Sequence, residues 1–133
     1  MSPAISPIPD TEPTAATRVL VCEDDFLIAL GWAEMLKKVG YTVVGPAHDA
    51  EEALELAYRH LPDLALIDID LGETIDGISV AAELAPMGVS IIFVTAYYNR
   101  AGTEGREFAA DILIKPVMES TILDAVAAAL QRK

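Results

Sequence analysis

The sequence predicts an α/β domain built on a doubly wound, five-stranded parallel sheet. Short runs rich in Val, Leu and Ile alternate along the chain with longer stretches whose apolar residues recur at helical spacing. The chain has 133 residues, room for one domain and little more. It is 53% hydrophobic and only 6% aromatic, an aliphatic balance that suits an α/β core.

Residues 1–17, MSPAISPIPDTEPTAAT, hold four of the eight prolines and show no periodicity, so they are expected to form a mobile tail ahead of a domain spanning 18–133. RVLVC (18–22) reads as the first strand. A helix over 26–39 follows, with Ile28, Trp32, Met35, Leu36 and Val39 at helical spacing and Gly40 as its stop. TVVG (42–45) reads as the second strand. A helix over about 50–60 comes next, with Asp49 as N-cap, Glu52 completing a box-like cap and Pro62 ending it. DLALID (63–68) reads as the third strand, and Asp76 as the cap of a helix over 77–85. SIIFVT (90–95) and DILIK (111–115) read as the fourth and fifth. Between them Gly102 and Gly105 each cost a helix about 1 kcal/mol relative to Ala, so only a short or mobile helix is expected near 99–109. A last helix over 118–131 sets Ile122, Leu123, Val126, Ala127 and Leu130 on one side. Such alternation implies a parallel sheet covered on both faces, and right-handed crossovers suggest the flavodoxin-like order 2-1-3-4-5.

The net charge is −12, which disfavours nucleic acid and anionic lipid as direct partners and suits a divalent cation or a basic protein patch. Cys22 is the only cysteine, so no intrachain disulfide forms and the chain reads as cytoplasmic. Its setting in VLVC marks it as a small buried hydrophobe. No apolar stretch reaches membrane-spanning length, and no secretory signal opens the chain. His48 and His60, on loop and helix-end positions, read as exposed polar surface.

In a sheet of this kind ligands bind beyond the carboxyl ends of the strands. Strand one ends in Glu23-Asp24-Asp25, strand three at Asp68 with Asp70 just past it, strand four at Thr95 and strand five at Lys115-Pro116. Four separate segments thus deliver acids, a hydroxyl and an ammonium to one edge. Two carboxylates about 5 Å apart repel by roughly 3 kcal/mol at an effective dielectric of 20. One lysine cannot neutralise three acids, so a divalent metal is inferred. The all-oxygen donor set, with room for water and phosphate, favours Mg²⁺ over a Ca²⁺ cage. A plainer reading pairs Lys115 with Asp68 and leaves the other acids solvated. A metal, a lysine and a hydroxyl around one carboxylate meet the needs of phosphoryl transfer to that carboxylate.

On these residues the chain resembles the receiver domains of two-component response regulators, over residues 18–131. VLVCEDD resembles the family's acidic pair, which implies that Glu23 and Asp24 bind metal. LALIDIDL matches the phosphoacceptor strand, with Asp68 as acceptor and Asp70 giving a backbone carbonyl to Mg²⁺. FVTAYY matches the fourth strand, with Thr95 as switch hydroxyl and small Ala96 keeping the acceptor accessible on the phosphoryl side. ILIKP supplies Lys115 as the phosphate-binding lysine, joined to Pro116 by a bond that is usually cis in the family. Two departures stand out: Ile112 replaces the usual switch Tyr or Phe, and Gly72 replaces a usual Pro. Together with Phe93-Val94-Thr95-Ala96-Tyr97-Tyr98 they resemble the atypical "FAT GUY" receivers, although Val94 and Ala96 replace the Ala and Gly of that motif. The resemblance implies a stand-alone response regulator rather than an enzyme, with a sensor histidine kinase of the HWE or a related class as partner. A downstream phosphotransfer or target protein would follow.

With no ring at Ile112, the switch is expected to run through Thr95 and a reordering of 96–110, with Tyr97 or Tyr98 supplying the moving aromatic. Tyr97 is also expected to hinder the water that hydrolyses the acyl phosphate. DIDLG further resembles the nucleophile motif of haloacid-dehalogenase-type phosphatases. However, Gly72 stands at its fifth position, the paired acids precede the nucleophile strand, and only 65 residues follow Asp68. A non-phosphorylated interaction module is the other alternative, though such proteins usually lack the acceptor or the lysine.

Overall fold

The structure, a computed structural model, describes residues 17–71, 76–96 and 98–133. The expected tail up to residue 16, Gly72 and Tyr97 lie outside the described residues, and Tyr98 is described by its backbone alone. Thr17, assigned to the tail from the sequence, accepts a hydrogen bond from the Thr42 amide at 2.9 Å and so joins the sheet edge.

Five parallel strands, β1 (Arg18–Cys22), β2 (Thr42–Ala47), β3 (Leu64–Ile67), β4 (Ser90–Thr95) and β5 (Asp111–Ile114), lie in the order β2-β1-β3-β4-β5. This is the order suggested by the sequence. Alternate side chains serve opposite faces. Leu20, Cys22, Ala65, Ile67, Ile91 and Phe93 pack beneath α2 (Ala50–His60) and α3 (Gly77–Leu84). Val19, Val21, Leu64, Leu66, Ile92 and Val94 pack beneath α1 (Phe26–Lys38) and α5 (Glu119–Gln131). Each fully buried Val, Leu or Ile contributes about 1.5–3 kcal/mol relative to exposure, which makes the central strands the rigid base of the molecule.

The helices form where caps and apolar spacing agree. Asp25 caps α1, accepting from the Leu27 and Ile28 amides at 3.0 and 3.1 Å. Gly40, at φ 105, closes that helix by donating to Lys37. Trp32, Met35 and Leu36 are buried, but Ile28 and Val39 stay 36% and 41% exposed, so the buried stripe is narrower than the sequence spacing implies. Asp49 caps α2 through Glu52, whose carboxylate reaches the His48 amide rather than that of the cap residue. The helix stops at Leu61, in the left-handed region at φ 49, one residue before Pro62, which disfavours helical geometry in its predecessor. Both histidines are exposed.

Some boundaries move. β2 runs on through a cis Gly45–Pro46 bond to Ala47, with a register shift that keeps Ala47 opposite Cys22. β3 is shorter than the apolar run, ending at Ile67 and leaving Asp63 and Asp68 flanking it. In α5 the buried residues are Ile122, Ala125, Val126 and Ala129; Ala127 faces solvent, so the buried stripe is rotated from the expected one towards the small residues. The stretch read as a short helix near 99–109 is one turn of α-helix, α4 (Tyr98–Arg100), then a π turn (Ala101–Gly105) and a 3₁₀ turn (Arg106–Phe108). Gly105 explains part of this irregularity. A Cβ there would lie 2.6 Å from the Phe93 ring, so only glycine lets this backbone rest on that buried side chain.

Candidate functional site

Backbone ladders carry four chain segments to the same edge of the sheet. The Glu23 amide donates to Ala47, the Asp68 amide to Cys22 at 2.9 Å, and the Lys115 amide to Thr95 at 3.0 Å. The end of β3 is held further by α3. Asp76 caps that helix by accepting from the Ile78 and Ser79 amides. The next residue, Gly77, packs so closely that a Cβ would sit 2.3 Å from the Asp68 carbonyl oxygen, a contact only glycine tolerates.

Around Asp68 the side chains converge. The Lys115 ammonium donates to Asp68 Oδ2 at 2.8 Å and to Glu23 Oε1 at 2.6 Å. The second Glu23 oxygen accepts from the Asp25 amide at 2.9 Å, and Asp68 Oδ1 from the Asp70 amide at 3.1 Å. Glu23, Asp68 and Thr95 are buried, at 1%, 6% and 0% exposure, whereas Asp24 and Asp70 are exposed. The plainer sequence reading, with Lys115 serving Asp68 alone and the other acids solvated, therefore does not hold for Glu23.

Burial raises the Glu23 carboxyl. Hydrogen bonds from Lys115 and Asp25 pull against it and the Asp68 charge adds to it, leaving the group pushed up to about 7. Burial also works against the Lys115 charge, but its bonds to Asp68 and Glu23 outweigh that, and the ammonium is held above its ordinary range. Cys22, by contrast, is an inert core thiol, driven far up by burial.

One carboxylate oxygen from each of Glu23, Asp24 and Asp68 lies within 4.8 Å of the others. The three-oxygen donor set, one member of it solvent-facing, fits a hard divalent cation that keeps part of its water shell. Ala96 is exposed just past β4. Ile112 is half-buried on β5 opposite Phe93. The Lys115–Pro116 bond is cis.

Three features of this neighbourhood were missed by sequence reasoning. Asp25, grouped with the acids, is engaged as a helix cap. Arg100 forms ion pairs with Asp76 and with Glu104, tying the 98–108 segment to the start of α3. The Lys115 ammonium also lies over the Trp32 ring, 5.6 Å from its centroid. The i, i+4 spacing of Arg100 and Glu104 was legible; the other two contacts depend on the fold.

Residues 19–127 match the family model of the response regulator receiver domain. The transcriptional regulatory protein PdtaR of Mycobacterium tuberculosis is 37% identical over 129 residues, covering 95% of this chain and 62% of that protein. The phyllosphere-induced regulator PhyR of Methylorubrum extorquens is 32% identical over 117 residues, 86% of this chain and 44% of that one. This chain thus spans less than two thirds of the length of either relative. Among solved structures, the response regulator TrrA of Thermotoga maritima, in complex with Mg²⁺ and BeF, superposes with a TM-score of 0.76 at 27% identity, over 85% of this chain and 98% of that one. With the same strand order and the matched segment running from β1 into α5, this chain belongs to the response regulator receiver domain family, the signalling modules of two-component systems.

Proposed function

We propose that this chain accepts a phosphoryl group on Asp68 from a phosphohistidine of a sensor histidine kinase, in a Mg²⁺-dependent reaction, and signals through Thr95 and the 96–110 segment. The observation that carries the reading is a buried Asp68 carboxylate bonded to the Lys115 ammonium at 2.8 Å beside the Glu23 and Asp24 carboxylates. An Asp68 oxygen bonds to phosphorus as the phosphorus–nitrogen bond to the imidazole breaks. The ring nitrogen keeps the electron pair and the histidine is released.

Glu23, Asp24, Asp68 and the Asp70 carbonyl are the proposed cation ligands. Bound Mg²⁺ would supply charge neutralisation for the phosphoryl oxygens. Lys115 turns from Glu23 and Asp68 to the new phosphoryl oxygens, Thr95 donates its hydroxyl to one of them, and small Ala96 leaves the approach open with its backbone on the phosphoryl side. With Ile112 in place of a ring, Tyr97 and Tyr98 are the aromatic candidates for the switch. Their neighbours in 98–108 form the irregular helix described above. The FAT GUY-like motif supports a kinase of the HWE or a related class, with the phosphohistidine presented in the cytoplasm. Among the described residues no helix is long and apolar enough to cross a membrane.

Incubation with acetyl phosphate and Mg²⁺, followed by intact-mass measurement, tests this. One phosphoryl addition is expected in the wild type and none in Asp68→Asn; a wild type that takes up no phosphoryl group contradicts it.

A further inference from the structure

Among the described residues, Lys115 has three partners of two kinds. Glu23 and Asp68 hold its ammonium by charge. The third is the face of Trp32, on α1, with the ring centroid 5.6 Å from Nζ, inside the roughly 6 Å reach of a cation–π contact. Trp32 is 7% exposed, so the ring is fixed by packing. The charged partners change during the proposed reaction. Asp68 becomes an acyl phosphate, and Glu23 is one of the carboxylates that would hold the cation. An ammonium guided by carboxylates alone loses its guides at the moment it must meet the phosphoryl oxygens. The ring does not titrate, binds no metal and stays where α1 holds it.

We propose that Trp32 is a positioning residue for phosphoryl transfer, whose ring face keeps the Lys115 ammonium within reach of Asp68 while its bond to Glu23 is given up. This rests on the reading of Lys115 as the phosphoryl-binding lysine. A packing role alone is the alternative, since Trp32 also walls a groove of about 490 Å³ with Ile28, Pro116, Val117 and Ile122. The two roles separate by substitution. Trp32→Phe keeps an aromatic face, and Trp32→Leu keeps apolar bulk without one. With Lys115 still 21% exposed, a partly desolvated cation–π contact corresponds to roughly a three- to tenfold change in rate.

The test is phosphoryl uptake from acetyl phosphate by the full chain, with urea stability measured alongside. Trp32→Leu is expected to slow uptake about three- to tenfold beyond Trp32→Phe at comparable stability. In a Lys115→Gln background the same replacement should cost nothing further. Equal rates for the Phe and Leu variants, or an equal loss with and without Lys115, overturns the proposal. A second measurement does not depend on phosphorylation. Trp32 is the sole tryptophan, so its emission reports the contact directly. Emission is expected to differ between wild type and Lys115→Gln without Mg²⁺ or phosphodonor, and identical spectra overturn the contact. If emission differs but the wild type takes up no phosphoryl group, the phosphoacceptor reading fails and the positioning role fails with it.

Discussion

At Asp68 the chain concentrates charge where burial makes charge expensive, and Lys115 is what makes that tolerable. The ammonium satisfies one oxygen of Glu23 and one of Asp68, and backbone amides satisfy the other two. Removing one partner of such a set leaves the remaining charges unpaired, which costs more than the pair is worth when intact. Lys115→Met is therefore expected to lower stability at neutral pH by about 3 kcal/mol in urea unfolding without divalent cations, the low end for a buried pair because Lys115 is 21% exposed, with Mg²⁺ restoring much of it. No loss would contradict the view that Lys115 compensates this buried charge. The sequence made the convergence of Glu23, Asp24, Asp68, Thr95 and Lys115 legible, because each stands at a strand end and parallel strands share an edge. It did not distinguish Asp25, which is engaged as a cap, from its acidic neighbours. Nor did it reveal Trp32, whose helical spacing matches that of any core residue.

At the scale of elements, α3 and the 98–108 segment are joined by the Asp76–Arg100 ion pair. Burial would raise the Asp76 carboxyl, but Arg100 and the Ser79 and Ile78 amides outweigh it and hold the group below its usual value of 3.8. A folded carboxyl held low binds fewer protons than the unfolded one. Its stabilisation is thus complete above the unfolded value and lost as pH falls through the folded one. Asp76→Asn keeps a capping side chain and loses the charge, so it is expected to be about 0.5–1 kcal/mol less stable than wild type at neutral pH, a modest figure because Arg100 is 42% exposed. The difference should vanish in strongly acidic buffer; a difference that persists there would assign the effect to the cap. The 98–108 segment is also where sequence patterning was least informative. Its glycines warned against a regular helix, but that Gly105 rests on the Phe93 ring depends on a contact with another strand. The burial of Ala125 and Ala129 in α5, with Ala127 exposed, likewise depends on how closely that helix lies on the sheet. Small residues carry no such signal on their own.

For the molecule as a whole, the net charge of −12 sets the terms of association. Clustered acids at one edge of a rigid sheet favour a divalent cation, and a cation that binds only the folded form stabilises it by mass action. Mg²⁺ at about 100 times its dissociation constant is expected to add about 2.7 kcal/mol, seen as a raised thermal midpoint. Asp24→Asn should remove most of that gain while leaving the cation-free midpoint nearly unchanged, since Asp24 is exposed. An undiminished gain in that variant would shift the cation away from the proposed ligands. The strand order was legible because alternation and crossover handedness leave few arrangements, and the same constraint brought distant residues to one rim.

The most direct measurement is chemical mapping of the phosphorylated residue. After reaction with acetyl phosphate and Mg²⁺, borohydride reduces an acyl phosphate to the alcohol, and peptide mass spectrometry locates it. Conversion of residue 68 to homoserine, absent without Mg²⁺, is the expected result. Reduction at another acid, or at none, would contradict Asp68 as the phosphoacceptor.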